Sequence, residues 1–179
     1  MKLQCRLILM LKIRRARQED CHSIGSVHAA AVRGIRTSLY TAEEIQAWAV
    51  PREPASYEES IRSKEFFVAE DAGAVVGFGV LNQEIAEVEA VYVTPGAGRR
   101  GIGLEVLRKL EERASALGLS VLRLNASLNA VPFYEKAGYV AQERSKYRLL
   151  TGVEIACVPM VKALTREAVS GRRDSMLLK

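Results

Sequence analysis

Apolar and polar residues alternate over Leu11-Lys12-Ile13-Arg14-Arg15-Ala16, the period of a strand with one covered face. The period then lengthens. Ile24, Val27, His28, Ala31 and Ile35 recur at helical spacing, which predicts a helix over Glu19 to Ile35. Thr41-Ala-Glu-Glu44 forms a capping box, Thr at the N-cap and Glu reaching back, that opens a short helix through Trp48. Pro51 and Pro54 break it, and a further short helix is expected over Ser56 to Ser63. Three strands follow, Phe66 to Glu70, Ala74 to Leu81 and Ala86 to Val93. Asp71-Ala-Gly73 suits a hairpin loop of about three residues between the first two. Past a glycine-rich loop the helical period returns at Gly101. Gly103, Leu107, Leu110, Ala114 and Leu117 share one face, and Glu105, Arg108, Lys109, Glu111, Glu112 and Arg113 the other. Gly118 suits the left-handed stop of that helix. Val121 to Ala126 reads as a strand and Asn129 to Lys136 as a helix closed by Gly138. Tyr139 to Leu149 and Val153 to Leu164 read as an antiparallel pair turning at Thr151-Gly152. The order predicts an α/β (α+β) domain: a mixed, mostly antiparallel sheet with helices on both faces.

Composition narrows the class. A chain of 179 residues with 49% hydrophobic and 26% charged residues suits one globular domain and excludes disordered, collagen-like and coiled-coil chains. The pattern assigns 10–164 to that domain, 1–9 to an extension ahead of it, with Met10 as an alternative start, and 165–179 to a loose basic tail. The apolar run Leu7 to Leu11 is five residues, too short for a membrane span or for a signal-peptide core. Cys5, Cys21 and Cys157 are odd in number and lack any CxxC, which points to reduced thiols and a cytoplasmic location. The formal charge is +5, of which the tail carries +2 through Arg166, Arg172, Arg173 and Lys179 against Glu167 and Asp174. The mild excess left for the body suits a phosphate-rich small ligand as well as DNA.

The informative segment is Val91-Tyr-Val-Thr-Pro-Gly-Ala-Gly-Arg-Arg-Gly-Ile-Gly-Leu104. A strand, a glycine loop and a helix N-terminus together present backbone N–H groups and about half a positive charge to an anion. Gly98, Gly101 and Gly103 let a phosphate approach the backbone, and Arg99 and Arg100 stand beside it. Gly96 to Gly101 also matches the dinucleotide-binding GxGxxG. That reading requires an acidic residue at the end of the next strand, and Val121 to Ala126 has none. A Walker A loop is excluded because no Gly-Lys-Ser/Thr follows.

Arg99-Arg-Gly-Ile-Gly-Leu104 after Val-Tyr-Val-Thr-Pro resembles the acetyl-CoA pyrophosphate loop of the GNAT superfamily of N-acetyltransferases. Asn125-Ala-Ser-Leu-Asn-Ala-Val-Pro-Phe-Tyr-Glu-Lys-Ala-Gly-Tyr139 is similar to that family's helix after the fifth strand, where an Asn and a Tyr face the cofactor. The resemblance covers Lys12 to Leu164. It implies acetyl-CoA as co-substrate, held by Val91, Tyr92 and Val93 along the pantetheine and by Gly98, Arg99, Arg100, Gly101, Ile102, Gly103 and Leu104 at the phosphates. Two positions depart from the family. Gly98 stands where Gln or Arg is usual, and the Asn seven residues before the Tyr is here Ser127, with an Asn at 129. Either Ser127 or Asn129 would reach the pantetheine arm.

Acetyl transfer to an amine requires a neutral amine, a stabilised oxyanion and a protonated leaving thiolate. Tyr134 would be the acid, since a phenol pKa of about 10 lies near that of a thiol. Glu87 and Glu89 alternate with Val88 and Ala90, so they are expected on one strand face with Val91 and Val93, where either, or an ordered water, would be the base. A main-chain N–H near Val91 would meet the oxyanion. Tyr40, Glu43, Glu44 and Trp48 are candidates for an acidic, aromatic cup around a cationic amine, against the commoner role of a surface cap with Trp48 in the core. His22 and His28 lack the neighbours of a metal site, so no metal is expected, and no GxSxG or Cys–His pair supports a covalent route. The expected partner is a small-molecule amine or a peptide attacked directly in a ternary complex, without nucleic acid or membrane, in a fold that often forms homodimers. The alternatives are a non-catalytic acyl-CoA-binding sensor and DNA binding through the tail.

Overall fold

The computed structural model describes residues 11–35 and 38–164. The extension 1–9, Met10, Cys5 and the tail 165–179 lie outside the described residues. Strand β1 spans Leu11–Arg15, helix α1 Cys21–Arg33, α2 Ala42–Trp48 and α3 Pro54–Ser63. Then come β2 (Glu65–Asp71), β3 (Ala74–Asn82), β4 (Glu87–Val93), α4 (Ile102–Ala116), β5 (Val121–Ser127) and α5 (Val131–Lys136). The chain closes with β6 (Val140–Ala141), β7 (Ser145–Arg148) and β8 (Glu154–Ala163). They form one sheet in the order β1-β2-β3-β4-β5-β8-β6, with β7 also on β8. Every pairing is antiparallel except β4 with β5. The expected mixed sheet with helices on both faces is what forms.

Local chemistry sets the boundaries. Residues 18–20 wind into a 3-10 turn, with the Arg17 N–H donating to the Asp20 carboxylate at 2.8 Å, so α1 starts later than the periodicity suggests. The Thr41 capping box forms as expected: the Glu44 N–H donates to Thr41 Oγ1 at 3.2 Å, and the Thr41 N–H donates to the Glu44 carboxylate at 2.7 Å. Pro54 starts α3 rather than preceding it, because its missing N–H is harmless in a first turn. The β2–β3 loop is two residues, not three. Ala72 and Gly73 both take positive φ (51° and 83°), as a tight primed turn demands. The strand expected over Tyr139 to Leu149 is split into β6 and β7 on the outer edge of β8. Pro159 sits opposite the break: its carbonyl accepts the Gln142 N–H at 2.8 Å, but it has no N–H to return.

Two packed layers flank the sheet. On one face Leu107, Leu110 and Ala114 of α4 meet Leu81, Val88, Leu122 and Met160. On the other, Ile24 and Val27 of α1 and Tyr57 of α3 meet Phe66, Val68, Phe78 and Val80. Leu117, expected on the apolar face of α4, is exposed, because the helix has ended one residue before it. The sheet lets α4 lie unusually close: a Cβ added at Gly79 would stand 2.5 Å from Val106 Cγ1 and 3.0 Å from Leu110 Cδ1. This approach fixes the N-terminus of α4 at the end of β4, where the glycine loop lies.

Candidate active site

The loop between β4 and α4 turns on two left-handed residues, Arg99 (φ 62°) and Gly101 (φ 79°), the latter being the N-cap of α4. The first helical bond runs from the Glu105 N–H to the Gly101 carbonyl at 3.0 Å. The amides of Ile102, Gly103 and Leu104 therefore precede the helical ladder and find no backbone acceptor among the described residues. This is an anion cradle of main-chain donors at the positive end of a 15-residue helix. Arg99 is exposed and makes no ion pair among the described residues, whereas Arg100 donates to Asp71 at 2.6 Å, tied to the β2–β3 turn.

Beyond the loop the sheet opens. β4 and β5 are paired at Glu87 and Arg123 alone, with the Arg123 N–H on the Ala86 carbonyl at 2.9 Å. Past that point β4 follows β3 and β5 follows β8, leaving a cleft of about 220 Å³ between them. Val91, Tyr92, Val93, Ser127, Asn129 and Tyr134 all line it. Tyr134 is buried and packs edge-to-face on Phe133 and Tyr139, at ring separations of 4.9 and 5.7 Å. Its hydroxyl makes no hydrogen bond among the described residues. Burial, with a smaller contribution from Tyr92, holds that hydroxyl well above the usual phenol range, so it stays protonated at physiological pH but is a weaker acid than the expected near match of phenol and thiol.

The two carboxylates are separated by a bulge. Val80 pairs with Ala90 but Leu81 with Val88, so Glu89 is an extra residue in β4. Downstream, Val91 and Val93 pack on the α4 side, and Ala90 and Tyr92 on the α1 side. Upstream, Val88 lies in the α4-side core, which turns Glu87 to the α1 side with Ala90 and Tyr92. The expected common face of Glu87, Glu89, Val91 and Val93 is therefore overturned: strict alternation fails across the extra residue. Glu89 is neutralised by Lys64, whose Nζ lies 2.6 and 2.7 Å from its two oxygens, and accepts from Asn82 at 2.9 Å. Among the described residues Glu87 has only the Asn125 amide, at 3.5 Å. Burial, then the charge of Glu89, pushes the Glu87 carboxyl above its ordinary value.

A larger cavity of about 570 Å³ lies on the α1 side and is lined by Glu87, Trp48 and Tyr92 among others. Trp48, Val88, Glu89, Ala90, Tyr92, Asn125 and Ser127 border both spaces. Of the expected cup only Trp48 takes part, through Nε1 donating to the Tyr92 hydroxyl at 3.0 Å. Tyr40 is buried, donating to the Ala156 carbonyl at 2.7 Å and accepting from the Leu128 N–H at 2.8 Å. Glu43 is exposed and Glu44 serves the helix cap, so neither forms part of the cavity. Sequence reasoning missed His28 and Arg52 as cavity residues. His28 lies edge-on to Tyr92 at 4.9 Å, and burial lowers its pKa to about 4, so it is neutral. Its place on the apolar stripe of α1 was the available signal. Cys21 and Cys157 are buried and free. Among the described residues no cluster of three His, Cys, Asp or Glu could hold a metal, and no helix is long and apolar enough to cross a membrane.

The chain as a whole is similar to known proteins. A model of the acetyltransferase (GNAT) domain matches residues 37–164. An uncharacterized N-acetyltransferase of Escherichia coli (strain K12), YafP, is 26% identical over 140 residues, covering 77% of this chain and 88% of that protein. The crystal structure of a GCN5-related N-acetyltransferase from Rhodopseudomonas palustris superposes with a TM-score of 0.75 at 28% identity, over 86% of this chain and 95% of that one. The PaiA N-acetyltransferase of Thermoplasma acidophilum, solved in complex with coenzyme A, shares the fold with a TM-score of 0.68 at 20% identity, over 86% and 98% of the two chains. With the family domain matched across most of the chain, and with the open sheet and glycine loop in place, the protein belongs to the GNAT acetyltransferase family.

Proposed function

We propose that the protein is an N-acetyltransferase that moves the acetyl group of acetyl-CoA to a primary amine by direct attack in a ternary complex. The observation that carries this reading is the shared wall of the two spaces. The narrow cleft with the anion cradle at its end opens, past Tyr92 and Ser127, into a wider cavity holding Glu87. The residues fit the coenzyme. The amides of Ile102, Gly103 and Leu104, with Arg99, suit the pyrophosphate, and a pantetheine arm fits along Val91 to Val93 with Ser127 and Asn129 opposite. Gly98 adds no side-chain contact, and Arg100 reaches a phosphate only by leaving Asp71.

Glu87 takes a proton from the incoming ammonium, directly or through water. The neutral amine then attacks the thioester carbonyl, forming a C–N bond while the C–S bond breaks. The β5-side edge of β4 beyond Glu87 has no ladder partner, which makes a main-chain N–H near Val91 the donor to the oxyanion. Tyr134 gives its proton to the departing thiolate. The amide nitrogen sheds the other proton, so the products are the acetylamide, CoA thiol and one proton. Glu89, neutralised by Lys64, sets the electrostatics of Glu87 rather than acting as base.

Titration calorimetry with acetyl-CoA, followed by CoA release across a panel of amines and peptides, tests the reading. Binding is expected in the micromolar range, with release on at least one acceptor. Absent binding at tens of micromolar would sink it, and binding without release would favour the acyl-CoA sensor. The base carries its own prediction. A group that must be ionised to act gives a rate rising with pH through its pKa. Because the Glu87 pKa is raised, this acid limb is displaced upward from that of an ordinary glutamate. Glu87→Gln is expected to flatten the limb and lower kcat/KM about tenfold to a hundredfold. An unchanged pH–rate profile would assign the base to water alone.

A further inference from the structure

The wide cavity is lined by charges of opposite sign over an aromatic floor, the half-buried Glu87 carboxylate and the exposed guanidiniums of Arg52 and Arg148. Glu87 is half-buried and makes no ion pair among the described residues, Lys64 being paired with Glu89. Arg52, on the connection between α2 and α3, is exposed and makes no ion pair among the described residues, its neighbour Glu53 included. The Arg52 backbone N–H donates to the Tyr57 hydroxyl at 3.3 Å, and its charge is felt by His28, Tyr57 and Tyr92, three walls of the same cavity. Arg148 of β7, likewise without an ion pair among the described residues, lines the cavity too. His28 Nδ1 is buried and has no hydrogen-bond partner among the described residues. The floor between is apolar: Phe66 stacks on Phe78 at 5.6 Å, Phe78 meets Tyr92 at 5.4 Å, and Trp48 meets Tyr92 at 6.5 Å.

A cavity of about 570 Å³ has the size of those that enclose a whole small molecule. A simple alkylamine would satisfy Glu87 and make no use of Arg52, Arg148 or the His28 nitrogen. A polyamine would add a second cation beside Arg52. We propose that the acceptor is an amine that also carries an acidic group on an aromatic or branched apolar body. Its ammonium lies at Glu87, its body on the Trp48–Tyr92–Phe78 floor, and its acid group against Arg52, with Arg148 a second guanidinium on the cavity wall. The acid group accepts charge-assisted hydrogen bonds from the guanidinium and brings a polar group within reach of the orphaned imidazole nitrogen. This inference rests on the acetyltransferase reading of the same site.

The test compares matched amines on the full chain: phenethylamine, which lacks an acid, against phenylalanine and 4-(2-aminoethyl)benzoic acid, which place it at two distances. Rates are read as CoA release. Binding is read separately from the fluorescence of Trp48, the single Trp of the chain, which forms part of the cavity wall. One acid-bearing amine is expected to exceed phenethylamine at least tenfold in kcat/KM and in affinity, the scale of one hydrogen-bonded charge pair. Arg52→Gln is expected to collapse that ratio towards one, whatever it does to the absolute rates. Equal or better use of phenethylamine overturns the proposal, as does a ratio that survives both Arg52→Gln and Arg148→Gln. If CoA is never released, the fluorescence titration still decides. Preferential binding of the acid-bearing amine then upholds the acceptor class while the transfer reading fails, and indifferent binding removes the acceptor class as well.

Discussion

Gly101→Glu is expected to abolish acetyl-CoA binding while leaving the fold intact. Gly101 caps α4 at φ 79°, and a Cβ built there meets nothing within 4 Å. The substitution therefore causes no clash, and its direct cost is left-handed strain of about 1–2 kcal/mol. The larger effect is electrostatic. A carboxylate at the mouth of the amide cradle takes the place of the phosphates, or repels them by about 4 kcal/mol at 4 Å and an effective dielectric near 20. That repulsion corresponds to nearly a thousandfold in affinity. Calorimetry should show no heat of binding at coenzyme concentrations that saturate the parent protein, with thermal unfolding lowered by only a few degrees. Gly101→Ala, which keeps the strain without the charge, separates the two contributions and should bind with modest loss. Retained binding by Gly101→Glu would place the phosphates somewhere other than this loop.

Tyr134→Phe is expected to lower kcat by about a hundredfold to a thousandfold with acetyl-CoA affinity unchanged within a factor of two or three. The split follows from what the side chain does. Its ring belongs to the α4-side core, edge-on to Phe133 and Tyr139, and phenylalanine keeps those contacts. Its hydroxyl supports no other group of the described chain, so removing it takes away a proton donor and nothing structural. The donor matters only when thiolate develops, which lowers kcat and kcat/KM together rather than raising KM. A matching loss of coenzyme affinity, or a fall in unfolding temperature comparable to that of a core truncation, would assign Tyr134 to packing instead.

Much of the frame was legible because it rests on short-range signals. The capping box at Thr41, the glycine stop at Gly118 and the α4 stripe of Leu107, Leu110 and Ala114 act within a few residues. The glycine loop, with its left-handed turn at Gly101, was legible for the same reason. What escaped the sequence was long-range. The bulge at Glu89 exists because β3 and β4 pair out of step by one residue, and no local signal in β4 marks the slip. Without it Glu87 would lie on the α4 face, away from the cavity. Pro159 broke the strand over Tyr139 to Leu149 from the opposite side of the ladder, where the sequence of that strand carries no trace. Trp48 and Arg52 became cavity residues only through the packing of α2 and α3 on α1, which itself covers β4. Position along the chain gave their chemistry but not their meeting.

The single paired position joining β4 to β5 has a mechanical meaning. The neighbouring seams, β3 with β4 and β5 with β8, carry six and seven paired positions, so bending the sheet there breaks a whole ladder. Bending it between Glu87 and Arg123 breaks one. The softest line in the sheet thus runs through the place where coenzyme and acceptor meet, and the width of the slot is set by side-chain packing under α4 rather than by backbone hydrogen bonds. Residues such as Leu107, Leu122 and Leu124, remote from any reacting atom, act as the shims that determine how far apart the two half-sheets stand.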